Sequence, residues 1–215
     1  MLVRYWMTED VVTVPPDTPI TEAERIMHER GFRRLPVVKG KRLVGLVTLA
    51  DIRGAKPSPA TSLSVWEINY LVSRITVGEV MTRDVITIGP DAPIEEAARI
   101  MRERKVGALP VVEGQELRGI ITESDLLGAF MEVLGIGEGG VRITFELDDR
   151  PGALAEALEP IKGKGVNIVS VCTCRSPREG KRQVVLRLRA EEAGDIVAEL
   201  EKRGAAVSDV QVERG

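Results

Sequence analysis

Ile20, Ala23, Ile26 and Met27 recur at the three-to-four spacing of a helix face, and the same spacing returns at Ile94, Ala97, Ile100 and Met101. A short β-rich run precedes each face, at Val11–Val14 and at Val85–Ile88. Two more runs follow it, Leu35–Val38 and Leu43–Val47 around the turn Lys39-Gly40-Lys41, mirrored by Leu109–Val112 and Leu117–Ile121. A second helix is predicted to start near Thr48 and near Thr122. Each segment reads β-α-β-β-α, with a proline at the first position of its leading helix and with Thr18 as N-cap of the first of these helices.

The mirroring is an internal duplication. A shift of 74 positions carries Met7-Thr8 onto Met81-Thr82, Leu35-Pro36-Val37-Val38 onto Leu109-Pro110-Val111-Val112, and Gly45, Thr48 and Asp51 onto Gly119, Thr122 and Asp125. Roughly half of the aligned pairs are identical, without a gap. Residues 1–53 and 77–135 form the two repeats and residues 54–76 join them. The joining segment has linker composition over 54–64 and then a helix signal: Ser64 and Glu67 match a capping box, Leu63 and Ile68 a hydrophobic staple, and the helix is predicted to reach about Ser73. Its apolar residues Ile68, Leu71 and Val72, with Trp66 nearby, are expected to cover the chain's own core, in the second repeat; a partner subunit is the alternative.

After the glycine-rich break at 135–140 the pattern changes. Val141, Ile143, Phe145 and Leu147 alternate as a strand, and Leu154, Ala157, Leu158 and Ile161 follow as a helix face. Ile168–Cys174 and Val184–Leu188 read as strands, Ala193–Leu200 as a helix and Ala206–Val212 as a last strand. The order β-α-β-β-α-β over 140–213 is that of a ferredoxin-like unit.

Composition narrows the function classes. Of 215 residues, 43% are hydrophobic and 29% charged, which excludes a disordered chain, while 3% aromatic content leaves the core to aliphatic side chains. A net charge of -3 with interspersed signs argues against nucleic acid as a partner. The N-terminus lacks a signal-peptide run and no apolar stretch reaches membrane length, so a soluble, cytoplasmic protein without a membrane partner is expected. Cys172 and Cys174 share one face of a predicted strand, read as a buried face and not as a metal site, because no second ligand cluster accompanies them. His28 aligns with Arg102 and reads as a surface residue. No nucleophile-base pair, metal cluster or Walker-type loop suggests an enzyme, and no required cofactor is expected.

The doubled unit, with Leu-Pro-Val-Val opening its middle strand and Gly-apolar-apolar-Thr-x-x-Asp closing it, resembles the CBS domain, and two in tandem resemble the regulatory CBS pair. Asp149-Arg150-Pro151-Gly152-Ala153-Leu154 followed by Gly165-Val166-Asn167-Ile168 resembles the ACT domain. The combination is similar to the acetoin-utilisation, AcuB-like regulatory proteins. The fold class implied is α/β (α+β): a CBS pair plus a ferredoxin-like ACT domain.

Thr48-x-x-Asp51 and Thr122-x-x-Asp125 are capping boxes on their own terms. The CBS resemblance implies a second use, with the hydroxyl and helix start facing a phosphate and the carboxylate accepting from ribose hydroxyls. It also implies that adenine lies among the strand starts, here Val12 and Ile86, and the residues just before Leu-Pro, here Arg33, Arg34, Val106 and Gly107. Arg33-Arg34 predicts a cleft selecting a phosphorylated adenosine such as AMP, ADP or ATP. Val106-Gly107-Ala108 predicts a barer one that takes a less charged adenosyl compound such as S-adenosylmethionine, or nothing. The alternative is that the arginines solvate a strand edge.

The ACT resemblance nominates Asp149, Gly152 and Asn167 for a small amino acid, against a structural reading in which Gly152 shapes a turn, Asn167 starts a strand and the domain only dimerises. The whole is expected to be a non-enzymatic sensor, a homodimer acting on an unknown regulated protein. A ligand-free dimerisation adaptor and an accessory enzyme of acetoin metabolism are the rivals.

Overall fold

The computed structural model describes residues 1–57 and 64–213. They form two units, Met1–Leu126 and Leu127–Gly215. The boundary falls inside a helix.

In the first unit, each repeat contributes one leading helix, α1 (Ile20–Arg30) or α5 (Ile94–Arg104), and one hairpin. The hairpins are β1 (Arg34–Lys39) with β2 (Arg42–Thr48), and β3 (Ala108–Glu113) with β4 (Glu116–Thr122). They join into one antiparallel sheet of order β1-β2-β4-β3 through the pairing of Arg42 with Glu116. Each hairpin is followed by a second helix, α2 (Leu49–Ala55) or α6 (Glu123–Val133); α3 (Val65–Arg74) and α4 (Val77–Val80) lie between the repeats. The predicted faces are the ones buried: Ile20, Ala23 and Met27 pack with Leu35, Val37, Val47 and Ile52 in the first repeat. Ile94, Ala97, Met101, Leu109, Val111 and Ile121 are buried likewise in the second. Burial of each of the larger of these side chains contributes about 1.5–3 kcal/mol.

The segments leading into the repeats are exchanged. Val3 N donates to Ala92 O at 2.9 Å and Arg4 N to Pro90 O at 3.0 Å; the same bonds recur between Val77 N and Thr18 O at 2.8 Å and between Gly78 N and Pro16 O at 2.7 Å. Thr8 and Ile120 exchange two backbone bonds, at 2.9 and 3.0 Å, as Leu46 and Thr82 do, both at 2.9 Å. This corrects two expectations. Thr18 does not cap α1, whose N-cap is Pro19 without a side-chain bond, because the Thr18 backbone is held in the exchange. Val11–Val14 and Val85–Ile88 are not strands. Each run crosses from one repeat's hairpin to the other's, and among the described residues its only ladder contact is one parallel bridge, Val14 with Val37 or Ile88 with Val111.

Helix α3 starts at the predicted box, with Glu67 N donating to Ser64 Oγ at 3.3 Å and Ser64 N to Glu67 Oε2 at 2.8 Å. The Leu63–Ile68 staple lies outside the described residues. Ile68 and Val72 pack on the first repeat's core instead of the second's, and Trp66 stays 85% exposed.

The second unit holds β5 (Gly140–Asp148), α7 (Ala153–Lys162), β6 (Asn167–Arg175), β7 (Lys181–Arg189), α8 (Gly194–Lys202) and β8 (Ala206–Glu213). Its antiparallel sheet has the order β6-β7-β5-β8. Val141, Ile143, Phe145, Val184, Leu186 and Leu188 pack against Ala157, Ile161, Ile196 and Leu200 from the two helices. The cysteines are not on a buried face: on edge strand β6, Cys172 is half-buried and Cys174 exposed. They alternate with Val171, which packs towards the core.

Gly45 and Gly119 are where the exchanged segments come closest. A Cβ on Gly119 would stand 2.8 Å from Thr8 O and 2.7 Å from Met7 Sδ, and one on Gly45 would stand 3.0 Å from Thr82 O. Gly119→Ala and Gly45→Ala are each expected to lower unfolding free energy by about 1–3 kcal/mol, the usual effect of overpacking. Urea unfolding of the two variants measures it, and unchanged midpoints would contradict the exchange.

Candidate functional site

The unpaired crossing run of the first repeat forms a wall, and a cavity of about 500 Å³ opens behind it. From the first repeat it takes Val11, Val12, Phe32, Arg33, Arg34 and Pro36; from the second, Gly107, Ile120, Thr122, Glu123, Ser124 and Asp125. The volume suits a small organic ligand. Nothing in the repeat pattern said which arginines would meet which Thr-Asp pair, and the exchange decides it: Arg33 and Arg34 share a cavity with Thr122 and Asp125 of the other repeat.

Thr122 and Asp125 form a complete capping box at the start of α6. Thr122 N and Oγ1 each donate to Asp125 Oδ2 at 2.7 Å, and Asp125 N donates to Thr122 Oγ1 at 3.3 Å. The helix start therefore consumes one carboxylate oxygen. Among the described residues, Asp125 Oδ1 has no hydrogen-bond donor and is available to a ligand hydroxyl. The box at Thr48 and Asp51 has the same form, with bonds of 2.8, 2.7 and 3.2 Å.

The arginines are held by β1. Arg34 begins that strand opposite Thr48, and the Arg33 carbonyl accepts from Leu49 N at 3.0 Å. Arg34 is half-buried, and burial pushes its guanidinium below its ordinary pKa; Glu123 opposes that shift and Arg33 adds to it. Neither arginine has a side-chain hydrogen bond or an ion pair within 4.0 Å among the described residues. A half-buried guanidinium without a protein acceptor can donate charge-assisted hydrogen bonds to an anion.

Of the other predicted residues, Thr48, Asp51, Ile86 and Val106 do not line this cavity. Ile86 is exposed, and Val106 is half-buried just after Lys105, whose positive φ of 54° takes the place of Gly31 in the first repeat. Phe32 and Glu123 line the cavity without being sequence candidates. Phe32 aligns with the candidate Val106, so the repeat itself holds the signal; Glu123 aligns with Leu49 and has none.

A second cavity of about 820 Å³ lies between residues 4–13 and the hairpin turns. It holds neither Thr-Asp box, and most of its charges are engaged among themselves or with neighbours: Arg118 with Glu113 at 2.6 Å, Lys41 with Glu116 at 3.3 Å, and Arg4 with Asp91. In the second unit, Asp149 is exposed and pairs with Arg182 at 3.3 Å, Gly152 supplies a φ of 86° at the N-cap of α7, and Asn167 opens β6 opposite Arg189. None of the three lines either cavity. The described residues contain no cluster of side chains suited to a metal ion and no helix long and apolar enough to cross a membrane.

Comparison with known proteins matches two kinds of domain. The CBS domain matches residues 3–58 and 77–132, and a TTHA0829-like ACT domain matches 139–211. The inosine-5'-monophosphate dehydrogenase of Korarchaeum cryptofilum is 37% identical over 122 residues, which are 56% of this chain and 22% of that protein. An uncharacterized Methanocaldococcus jannaschii protein, MJ1225, is 36% identical over 133 residues, 58% of this chain and 45% of that one. The chain thus spans less than half the length of these relatives.

Among solved structures, a protein from Vibrio cholerae described as an acetoin-utilisation protein (AcuB) is similar at 30% identity and a TM-score of 0.54, over 64% of this chain and 96% of that one. The CBS pair of protein MJ0100, solved with 5'-methylthioadenosine and S-adenosyl-L-methionine, is 29% identical with a TM-score of 0.50, over 60% and 95%. CBSX2, solved with AMP, is 28% identical with a TM-score of 0.51, over 61% and 97%.

Because Thr48 and Thr122 cap helices whatever else they do, Thr48→Val and Thr122→Val are each expected to cost about 0.5–2 kcal/mol of stability without ligand. Denaturant titration reads this directly; a Thr122→Val variant as stable as the parent would show that the box does not hold the site.

Proposed function

The chain belongs to the CBS-domain family, its two repeats followed by an ACT-like domain, and from that premise we propose a regulatory ligand sensor without catalytic activity. Its CBS pair takes an adenine nucleotide in the cavity shared by the repeats. The observation that carries this is the half-buried Arg34, with Arg33 beside it, neither making an ion pair within 4.0 Å among the described residues, in the cavity that the start of α6 also lines. A phosphate there accepts from two guanidinium groups and meets the positive end of an eleven-residue helix. Asp125 Oδ1 accepts from the ribose, and Val12 with Phe32 supplies apolar surface for the base. AMP in CBSX2 and adenosyl compounds in MJ0100 support this choice of ligand class.

The wider proposal is a cytoplasmic homodimer in which nucleotide, and an amino acid at Asp149, Gly152 and Asn167, bias the arrangement of the modules towards a regulated protein. A ligand-free adaptor is the second reading. It is favoured by Trp66, Tyr70 and Leu71, which are apolar and exposed on α3. Thermal unfolding separates the two: a sensor is stabilised by AMP, by about 2.7 kcal/mol at a hundredfold excess over Kd, whereas an adaptor does not respond to AMP, ATP, S-adenosylmethionine or amino acids.

Calorimetric titration of Arg34→Ala is expected to show AMP affinity about tenfold to a hundredfold weaker, the worth of a charge-assisted hydrogen bond. Parental affinity in that variant would remove the phosphate assignment.

A further inference from the structure

The cavity's charge is not simply positive. Arg33 and Arg34 face Asp10, Glu123 and Asp125 across it. Asp125 belongs to the capping box, and Asp10 is matched by Asp84 in the other repeat. Glu123 has no such origin. Its counterpart is Leu49, which occupies the same helix start in the first repeat, and the box at Thr122 closes without it. The carboxylate breaks the symmetry of the duplicated plan, and so do Arg33 and Arg34, whose counterparts in the second repeat are Gly107 and Ala108.

Its placement is specific. A Cβ on Gly107 would stand 3.1 Å from Glu123 Oε2 and 3.1 Å from Arg34 Nη2, so the two charged ends flank the same bare backbone from opposite repeats. They are close enough to attract each other and do not form an ion pair within 4.0 Å. A phosphate engaged by the arginines lies beside this carboxylate, and each additional phosphate adds negative charge near it, with the two guanidinium groups already engaged.

Resting on the nucleotide reading above, we propose that Glu123 is the residue that sets ligand charge, restricting the cavity to nucleotides with one phosphate and discriminating against di- and triphosphates. It acts by repulsion of the wrong ligand and leaves the right one to the arginines.

The test is calorimetric titration of adenosine, AMP, ADP and ATP, with magnesium chelated, into the full chain and into Glu123→Gln and Glu123→Leu. Glu123→Gln keeps the shape, and Glu123→Leu reinstates the first repeat's residue; thermal unfolding checks that both fold. The parent is expected to bind AMP more tightly than ATP by about tenfold or more, and either variant to compress that ratio by about tenfold, the effect of removing one nearby unit charge. The gain should increase from adenosine, which is unaffected, through AMP and ADP to ATP. That graded dependence on ligand charge is not produced by a structural disturbance. AMP binding with an unchanged AMP-to-ATP ratio in both folded variants would overturn the role of Glu123 and leave the nucleotide reading intact. Absence of binding by all four compounds to the parent would overturn both.

Discussion

Backbone pairing between one repeat's leading segment and the other repeat's hairpin is the constraint on which the CBS unit depends. Thr8 on Ile120 and Thr82 on Leu46 are reciprocal two-bond contacts, and each is made beside a glycine, Gly119 or Gly45, that lets a carbonyl and a methionine approach. A hairpin alone is marginal in water, whereas here the two hairpins, the crossing runs and the leading helices all close on one another. The exchange also leaves Val11–Thr13 without ladder partners, so that part of the first repeat is free to form a wall instead of extending a sheet.

Geometry and charge then follow from asymmetry laid over this symmetry. The duplicated plan gives each repeat a helix opening on Thr-x-x-Asp, with the carboxylate capping through one oxygen and its second oxygen without a protein donor among the described residues. Residues that differ between the copies, Arg33 and Arg34 in the first and Glu123 in the second, place two cations and a carboxylate in the shared cavity. The structural and the binding readings of the box are therefore compatible, because they use different oxygen atoms.

Much of this was legible from periodicity. The helix faces at Ile20–Met27 and Ile94–Met101, the hairpins, the boxes and the whole β-α-β-β-α-β order of the second unit follow from apolar spacing and turn residues, which act locally. What was not legible is long-range. Val11–Val14 has the composition of a strand, and only the exchange, a contact between residues far apart in sequence, denies it a ladder. Thr18 has the chemistry of a cap, and its backbone is engaged elsewhere. The pairing of Arg33 and Arg34 with Thr122 and Asp125 is of the same kind. Trp66 and the cysteines failed differently: hydrophobic character predicts burial only when something is there to cover the side chain, and α3 turns Ile68 and Val72 inward while Cys172 and Cys174 lie on the face of β6 opposite the core-facing Val171.

A crystal structure of the full chain grown with AMP addresses the central claim most directly, since it shows which repeat supplies which end of the site. Nucleotide is expected in the cavity with its phosphate on Arg33 and Arg34 and its ribose hydroxyls on Asp125, from opposite repeats. Nucleotide whose ribose is held by Asp51 while its phosphate rests on those arginines, or which sits away from both, would contradict that claim.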